Sequence, residues 1–190
     1  MSRHADSSDE ELMLFYRDGD AGAFDVLYTR HKGGVYRYLL RQCREAAVAE
    51  ELFQDVWMNL IRARAGYTVQ AKFTTYLYRL AHNRMVDHYR KTSPVVAVSL
   101  EEEEGEAVLE LPDGRERPAA EALDARRQAA RLLELIAALP EAQREAFLMQ
   151  QEGGMSVEDI AQATGVTRET AKSRLRYAMS KLKQGMGEWR

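Results

Sequence analysis

The stretch Ser156–Leu182, "SVEDIAQATGVTRETAKSRLRYAMSKL", decides the fold. Ser156 is a good helix N-cap, and Asp159 follows three residues later as an acidic partner in the first turn. Ile160 and Ala161 take inward positions, and Ala161 is small enough for a second helix to cross close above it. Gly165 permits the left-handed backbone of a sharp helix-to-helix turn, Val166 plugs the corner, and Thr167 caps the next helix. There Ala171, Leu175, Ala178 and Leu182 fall at offsets 0, 4, 7 and 11, a single apolar stripe. Glu169, Ser173 and Arg176 point away from it, flanked by Lys172. Between Thr167 and Gln184 the cations Arg168, Lys172, Arg174, Arg176, Lys181 and Lys183 face the single acid Glu169.

This is a helix-turn-helix pattern, whose second helix enters the DNA major groove. Arg and Lys donate to guanine edges, and Glu accepts from the cytosine amino group. An ordinary helical hairpin with a solvated basic face would share the stripe. The coincidence of turn glycine, small crossing residue and outward cations favours DNA.

The rest of the chain sets this unit in an acidic context. Its 190 residues allow one or two domains, and the formal net charge is −3. Acids elsewhere discourage indiscriminate DNA binding. The lone Cys43 cannot form an internal disulfide, and with no CxxC a reducing cytoplasm fits best. No apolar run approaches the roughly 20 residues of a membrane span, and "MSRHADSSDEE" lacks a signal peptide's apolar core.

Helical spacing dominates upstream, so the expected class is all-α. Ser8 and Glu11 form a capping box before a helix that stops at Gly19. Phe24, Leu27, Val35, Tyr38 and Leu39 mark a second helix, with Gly33-Gly34 as a break point. Leu52, Val56 and Leu60 mark a third, and Phe73, Leu77, Leu80 and Ala81 the buried side of a fourth. Residues 1–92 read as one helical domain. From 93 to 124 periodicity fades, and Pro94, Pro112 and Pro118 occur. Ten acids from Glu101 to Asp124 oppose only Arg115 and Arg117, which favours an extended, flexible linker. Residues 125–190 form the second helical domain, with Pro140 in the first turn of one helix and Gly153-Gly154 ending it.

Within the first domain, Glu51, Gln54 and Asp55 share one polar face, either solvated or matched to arginines of a partner. Further on, Tyr67, Tyr76, Tyr78, His88 and Tyr89 interleave with Lys72, Arg79, Arg84, Arg90 and Lys91. Aromatics among cations suit single-stranded nucleic acid, and the tyrosines equally suit the edge of a core. His82, Asp87 and His88 raise the question of a metal site, but His82 and Asp87 are five apart with no third strong ligand beside them at helical spacing, so a solvated role is expected. No phosphate-cradling glycine loop or nucleophile–base spacing supports catalysis, and no cofactor is expected.

The order of "ELFQDVWMNLIRAR", "KFTTYLYRLAHNRMVDHYRK" and "LPEAQREAFLMQQEGGMSVEDIAQATGVTRETAKSRLRYAMSKL" resembles the small, two-domain extracytoplasmic-function (ECF) group of bacterial RNA polymerase sigma factors. The resemblance covers nearly the whole chain except the N-terminal tip and the acidic linker. It implies no enzyme but a factor that lends core polymerase its promoter preference, under control of an anti-sigma protein. The resemblance places Glu51, Gln54 and Asp55 on the polymerase β′ clamp helices, and implies core polymerase, through its β and β′ subunits, as partner. Tyr67, Lys72, Tyr76, Arg79, Asn83 and Arg84 would serve the unpaired minus-ten element. Arg168, Glu169, Lys172, Ser173, Arg174 and Arg176 would serve the minus-thirty-five duplex. The linker would pass near the active-site channel. No metal, membrane insertion or homo-oligomer is implied. Family members often have Asp where Glu51 stands and Trp where Tyr76 stands, so charge is kept and stacking area reduced. Two rivals remain: a stand-alone helix-turn-helix regulator, and a sigma mimic that sequesters an anti-sigma protein. The mimic would be expected to lose Lys172 and Arg176, which are present.

Overall fold

The computed structural model describes residue 4 and residues 6–92 and 119–187, with side chains from 122 onward in the second segment. Described residues form helices and no strand: α1 (Asp9–Arg17), α2 (Ala21–Cys43), α3 (Ala46–Ala63), α4 (Phe73–Thr92), α5 (Ala119–Ala137), α6 (Glu141–Gly153), α7 (Val157–Thr164) and α8 (Arg168–Gly187). A 3₁₀ turn, Arg64–Gly66, follows α3.

Local chemistry sets the boundaries. Ser8 and Glu11 make the expected capping box on α1, and Asp20 caps α2 through the Gly22 N–H. The start of α4 is capped from outside, because the Phe73 N–H donates to Glu10 Oε1 of α1 at 2.6 Å. Pro140 is the N-cap of α6, just outside the first turn, and Gly154 closes that helix at φ 60°. Ser156 and Asp159 form a reciprocal capping box on α7, and Gly165 ends it at φ 69°.

Two expectations change. No break occurs at Gly33-Gly34; α2 runs straight through them. Gly34 is instead a point of close approach, where a Cβ would lie 2.8 Å from the Glu152 carbonyl oxygen and 2.9 Å from the Tyr78 hydroxyl. Helix α5 begins at Ala119, so residues 119–124 are helical rather than linker. The remaining linker residues, 93–118, lie outside the described residues.

Helices α1–α4 enclose Leu12, Leu27, Leu39, Leu52, Leu60, Phe73 and Leu77, all fully buried or nearly so. Helices α5–α8 enclose Ile136, Leu148, Met149, Ile160, Ala171, Leu175, Ala178 and Leu182, which includes the whole predicted stripe. Each such Leu, Ile, Met or Phe side chain contributes about 1.5–3 kcal/mol on burial. The two cores are continuous, for α2 packs on α6 and α4 on α7. Tyr38 and Tyr78 meet edge-on at this junction, ring centroids 5.3 Å apart, and both are essentially inaccessible. No helix among the described residues is long and apolar enough to cross a membrane.

Candidate nucleic-acid and polymerase interfaces

The helix-turn-helix is built as its residues demand. The Thr167 hydroxyl accepts from the Thr170 N–H at 3.2 Å and opens α8. The buried stripe fixes the rotation of that helix, which leaves Arg168, Glu169, Lys172 and Arg176 exposed and Ser173 and Arg174 half-buried. Arg168 is engaged, pairing with Glu158 of α7 and with Glu169 at 3.4 Å. Arg176 lies over the ring of Tyr177, 5.1 Å from its centroid. Tyr177 is 52% exposed and escaped the sequence reading, although an aromatic beside an outward arginine was visible there. Arg174 leans toward α4, close enough to His82 to oppose its protonation.

The surface of α4 and the preceding loop is more closed. Tyr67 is buried, its ring edge-on to Tyr76 with centroids 5.3 Å apart. Its hydroxyl finds no partner among the described residues. Burial, with Glu10 close by, pushes the Tyr67 phenol up to about 12, and burial raises Tyr76 too, so both are neutral at physiological pH. Lys72 reaches across to α7, its Nζ 3.0 Å from Asp159 Oδ2. Arg84 is held by Asp55 at 2.6 Å and Asp87 at 3.6 Å. Arg79 is half-buried and Asn83 exposed. Tyr76 is half-buried, between core and solvent.

On α3, Glu51 and Gln54 are exposed and lie together. Asp55 is partly covered, because it ties α3 to Arg84 of α4. The structure thus joins one residue expected to meet polymerase with one expected to meet DNA, a pairing that spacing along one helix could not reveal.

His82 is the main departure. It is not solvated: its Nδ1 bonds Glu145 Oε1 of α6 at 2.6 Å, and the Tyr38 hydroxyl donates to the same oxygen at 2.8 Å. The hydrogen bond to Glu145 lifts the His82 pKa above its ordinary value, against the opposing effect of burial. No group of acidic, histidine or cysteine side chains capable of holding a metal occurs among the described residues. A cavity of about 480 Å³ beside this contact is lined by His82, Met85, Tyr89, Glu141 and Glu145.

The described residues thus form helices only, with an exposed basic helix, α8, behind a helix-turn-helix corner, and a mixed aromatic–basic helix, α4. The family description Sigma-70 region 2 matches residues 27–94, and Sigma-70, region 4 matches residues 129–182. The chain is 30% identical to RNA polymerase sigma factor CarQ of Myxococcus xanthus over 91% of its length and 94% of that protein's. It is 32% identical to the ECF RNA polymerase sigma factor RpoE of Cereibacter sphaeroides, covering 92% of this chain and 93% of that one. The fold is similar to CnrH solved in complex with the cytosolic domain of CnrY, with a TM-score of 0.64 at 20% identity over 93% of this chain and 95% of that one. It is also similar to RpoE of Bartonella quintana in complex with the anti-sigma factor NepR, TM-score 0.62 at 18% identity over 86% and 96%. The chain belongs to the ECF RNA polymerase sigma factors. It is a transcription-initiation factor and not an enzyme.

Proposed function

We propose the following division of labour. The domain within residues 1–92 docks on core polymerase through Glu51, Gln54 and Asp55. It captures the melted minus-ten strand with Tyr67, Lys72, Tyr76, Arg79, Asn83 and Arg84. The domain within residues 125–190 reads the minus-thirty-five duplex with Arg168, Glu169, Lys172, Ser173, Arg174 and Arg176. The intervening acidic segment passes through the polymerase. The protein works in the cytoplasm, and an anti-sigma protein holds it in check, as NepR does for its own sigma partner.

The observation that carries this reading is the outer face of α8. Lys172 and Arg176 are exposed on a rigid helix whose opposite side is wholly buried. Melting costs on the order of 1–2 kcal/mol per base-pair step. Bases stacked on aromatic side chains return about 1–3 kcal/mol each, so strand capture offsets strand separation.

The test is DNA binding with and without core polymerase. With a net charge of −3 and one short basic helix, the free monomer should bind duplex promoter DNA weakly. Sequence-specific binding should appear only with polymerase. Tight, specific binding by the isolated chain at physiological salt would instead favour a stand-alone regulator.

A further inference from the structure

Helix α1 takes no part in the assignments above, yet both ends of the loop that precedes α4 rest on it. On the near side, the Arg64 guanidinium lies over the Tyr16 ring, 5.1 Å from its centroid. Arg17 Nη1 donates to the Tyr67 carbonyl at 3.4 Å, and Tyr67 is buried. On the far side, the Phe73 N–H donates to Glu10 Oε1 at 2.6 Å, and Phe73 is fully buried. Glu10 and Arg17 stand about two turns apart on one helix, so a single face of α1 holds both ends. Between these fixed points Thr68, Val69 and Gln70 are exposed.

We propose that Glu10 is a positioning residue for minus-ten strand capture, a role that rests on reading α4 and its loop as the strand-capturing surface. From α1 it fixes the end of the 67–72 loop and the start of α4, so that the exposed tip meets the strand in one geometry.

Local chemistry leaves this place open for a residue from outside. Lys72 stands at the N-cap of α4, for its carbonyl accepts from the Tyr76 N–H at 3.1 Å. A lysine side chain has no acceptor with which to cap a helix, and this one is turned to Asp159. The Glu10 carboxylate supplies the missing acceptor. Its charge is favoured at a helix N-terminus by the helix dipole, in addition to the hydrogen bond itself. The same carboxylate lies close to the Tyr67 phenol, where, after burial, it is the next influence opposing ionisation. Glu10 is thus near the buried ring at one end of the loop and bonded to the backbone at the other.

Helix α1 is in turn fixed to α2. Asp9 receives Arg30 at 2.9 Å and His31 at 2.7 Å, and Leu12 and Met13 are fully buried. The His31 ring lies 5.3 Å from that of Phe73, so the anchor of α1 and the first residue of α4 share a neighbour. A loop pinned at both ends has little freedom left to lose on binding. Released at one end, it samples more arrangements, accommodates wrong bases and discriminates less.

The test is transcription by reconstituted holoenzyme over a library of minus-ten variants. Glu10→Ala should reduce the ratio between the best and worst bases about tenfold, the weight of one hydrogen bond to a charged group. Glu10→Gln keeps an acceptor oxygen and should restore most of that ratio. Preference within the minus-thirty-five element should not move. Glu11→Ala is the folding control: it weakens α1 by removing the capping box with Ser8, and should keep the parent's minus-ten preference. In the free chain, hydrogen exchange should rise over residues 67–76 in Glu10→Ala, with α3 unchanged. Unchanged minus-ten preference in Glu10→Ala, a loss that Glu10→Gln does not restore, or an equal loss in Glu11→Ala would overturn the positioning role. The double variant Tyr76→Ala with Asn83→Ala tests the reading beneath it. If that variant shifts minus-ten preference and Glu10→Ala does not, the positioning role alone fails; if neither does, the promoter assignment fails with it.

Discussion

The surface proposed above for duplex DNA and the surface proposed for single-stranded DNA are in opposite states. Helix α8 presents Lys172 and Arg176 to solvent from a helix whose opposite side is buried. Around α4, Tyr67 is buried with an unpaired hydroxyl, Lys72 is bound to Asp159, and Arg84 is bound to Asp55. An orphaned buried hydroxyl costs about 1–3 kcal/mol. Lys72 and Arg84 of this surface are already engaged by carboxylates of the chain itself, whereas Lys172 and Arg176 of α8 are exposed.

The largest effect expected on this contrast comes from removing the support of the open face. Leu175 is buried in the stripe beneath α8. Leu175→Ala should cost about 2–5 kcal/mol of local stability through lost burial and a residual cavity. Hydrogen exchange should then show α5–α8 opening while α1–α4 stays protected. If protection falls equally in both halves, the continuous core makes them one cooperative unit and the contrast is between surfaces only.

The polar face of α3 comes next. Glu51 and Gln54 are exposed, whereas Asp55 anchors Arg84, so reversal at Asp55 would disturb the α3–α4 packing as well as any partner. The cleaner variant is Glu51→Arg with Gln54→Ala. Thermal stability should hold within about 0.5 kcal/mol, while affinity for core polymerase falls by about 2 kcal/mol from a cation set against the partner's arginines. Unchanged co-purification would remove polymerase docking from this face.

Within the open face, direct readout and backbone grip should separate. Arg176→Ala should cost about 1–3 kcal/mol at one base position and relax preference there. Lys181→Ala, exposed further along α8, should weaken all sequences alike and reduce the salt slope by about one unit. Transcription over a library of minus-thirty-five variants distinguishes them. A uniform loss from both would mean that α8 only grips phosphates.

These outcomes also measure what the chain's linear order could reveal. The helix-turn-helix was legible because its signals are local: caps at Ser156 and Thr167, a turn at Gly165, and a stripe from Ala171 to Leu182 that is buried as expected. The contact of α2 and α4 with α6 was not legible, because its partners lie far apart in sequence, with Glu145 separated by 107 positions from Tyr38 and by 63 from His82. Gly33-Gly34 was misread for the same reason. A glycine pair within a helical pattern signals a break locally, and only the approach of α6 shows that Gly34 is there to admit a neighbouring backbone. His82 looked solvated because its acceptor sits on another domain.

The smallest effect expected is also the one that decides what the closed surface is for. Tyr76 is half-buried, edge-on to Tyr67 and 6.3 Å from Phe73, so its ring could seal the core, receive a base, or do both. Tyr76→Trp enlarges the stacking area without adding charge, and the phenol it replaces is already neutral. If the ring receives a base, the variant should gain under about 1 kcal/mol in strand capture. That gain should appear as faster promoter opening with unchanged binding to minus-thirty-five duplex. If the ring only seals the core, the larger indole should cost about 1–3 kcal/mol of stability by overpacking, with no gain in opening. Faster opening marks the first reading, and lost stability without faster opening marks the second, so the two measurements on one variant separate them.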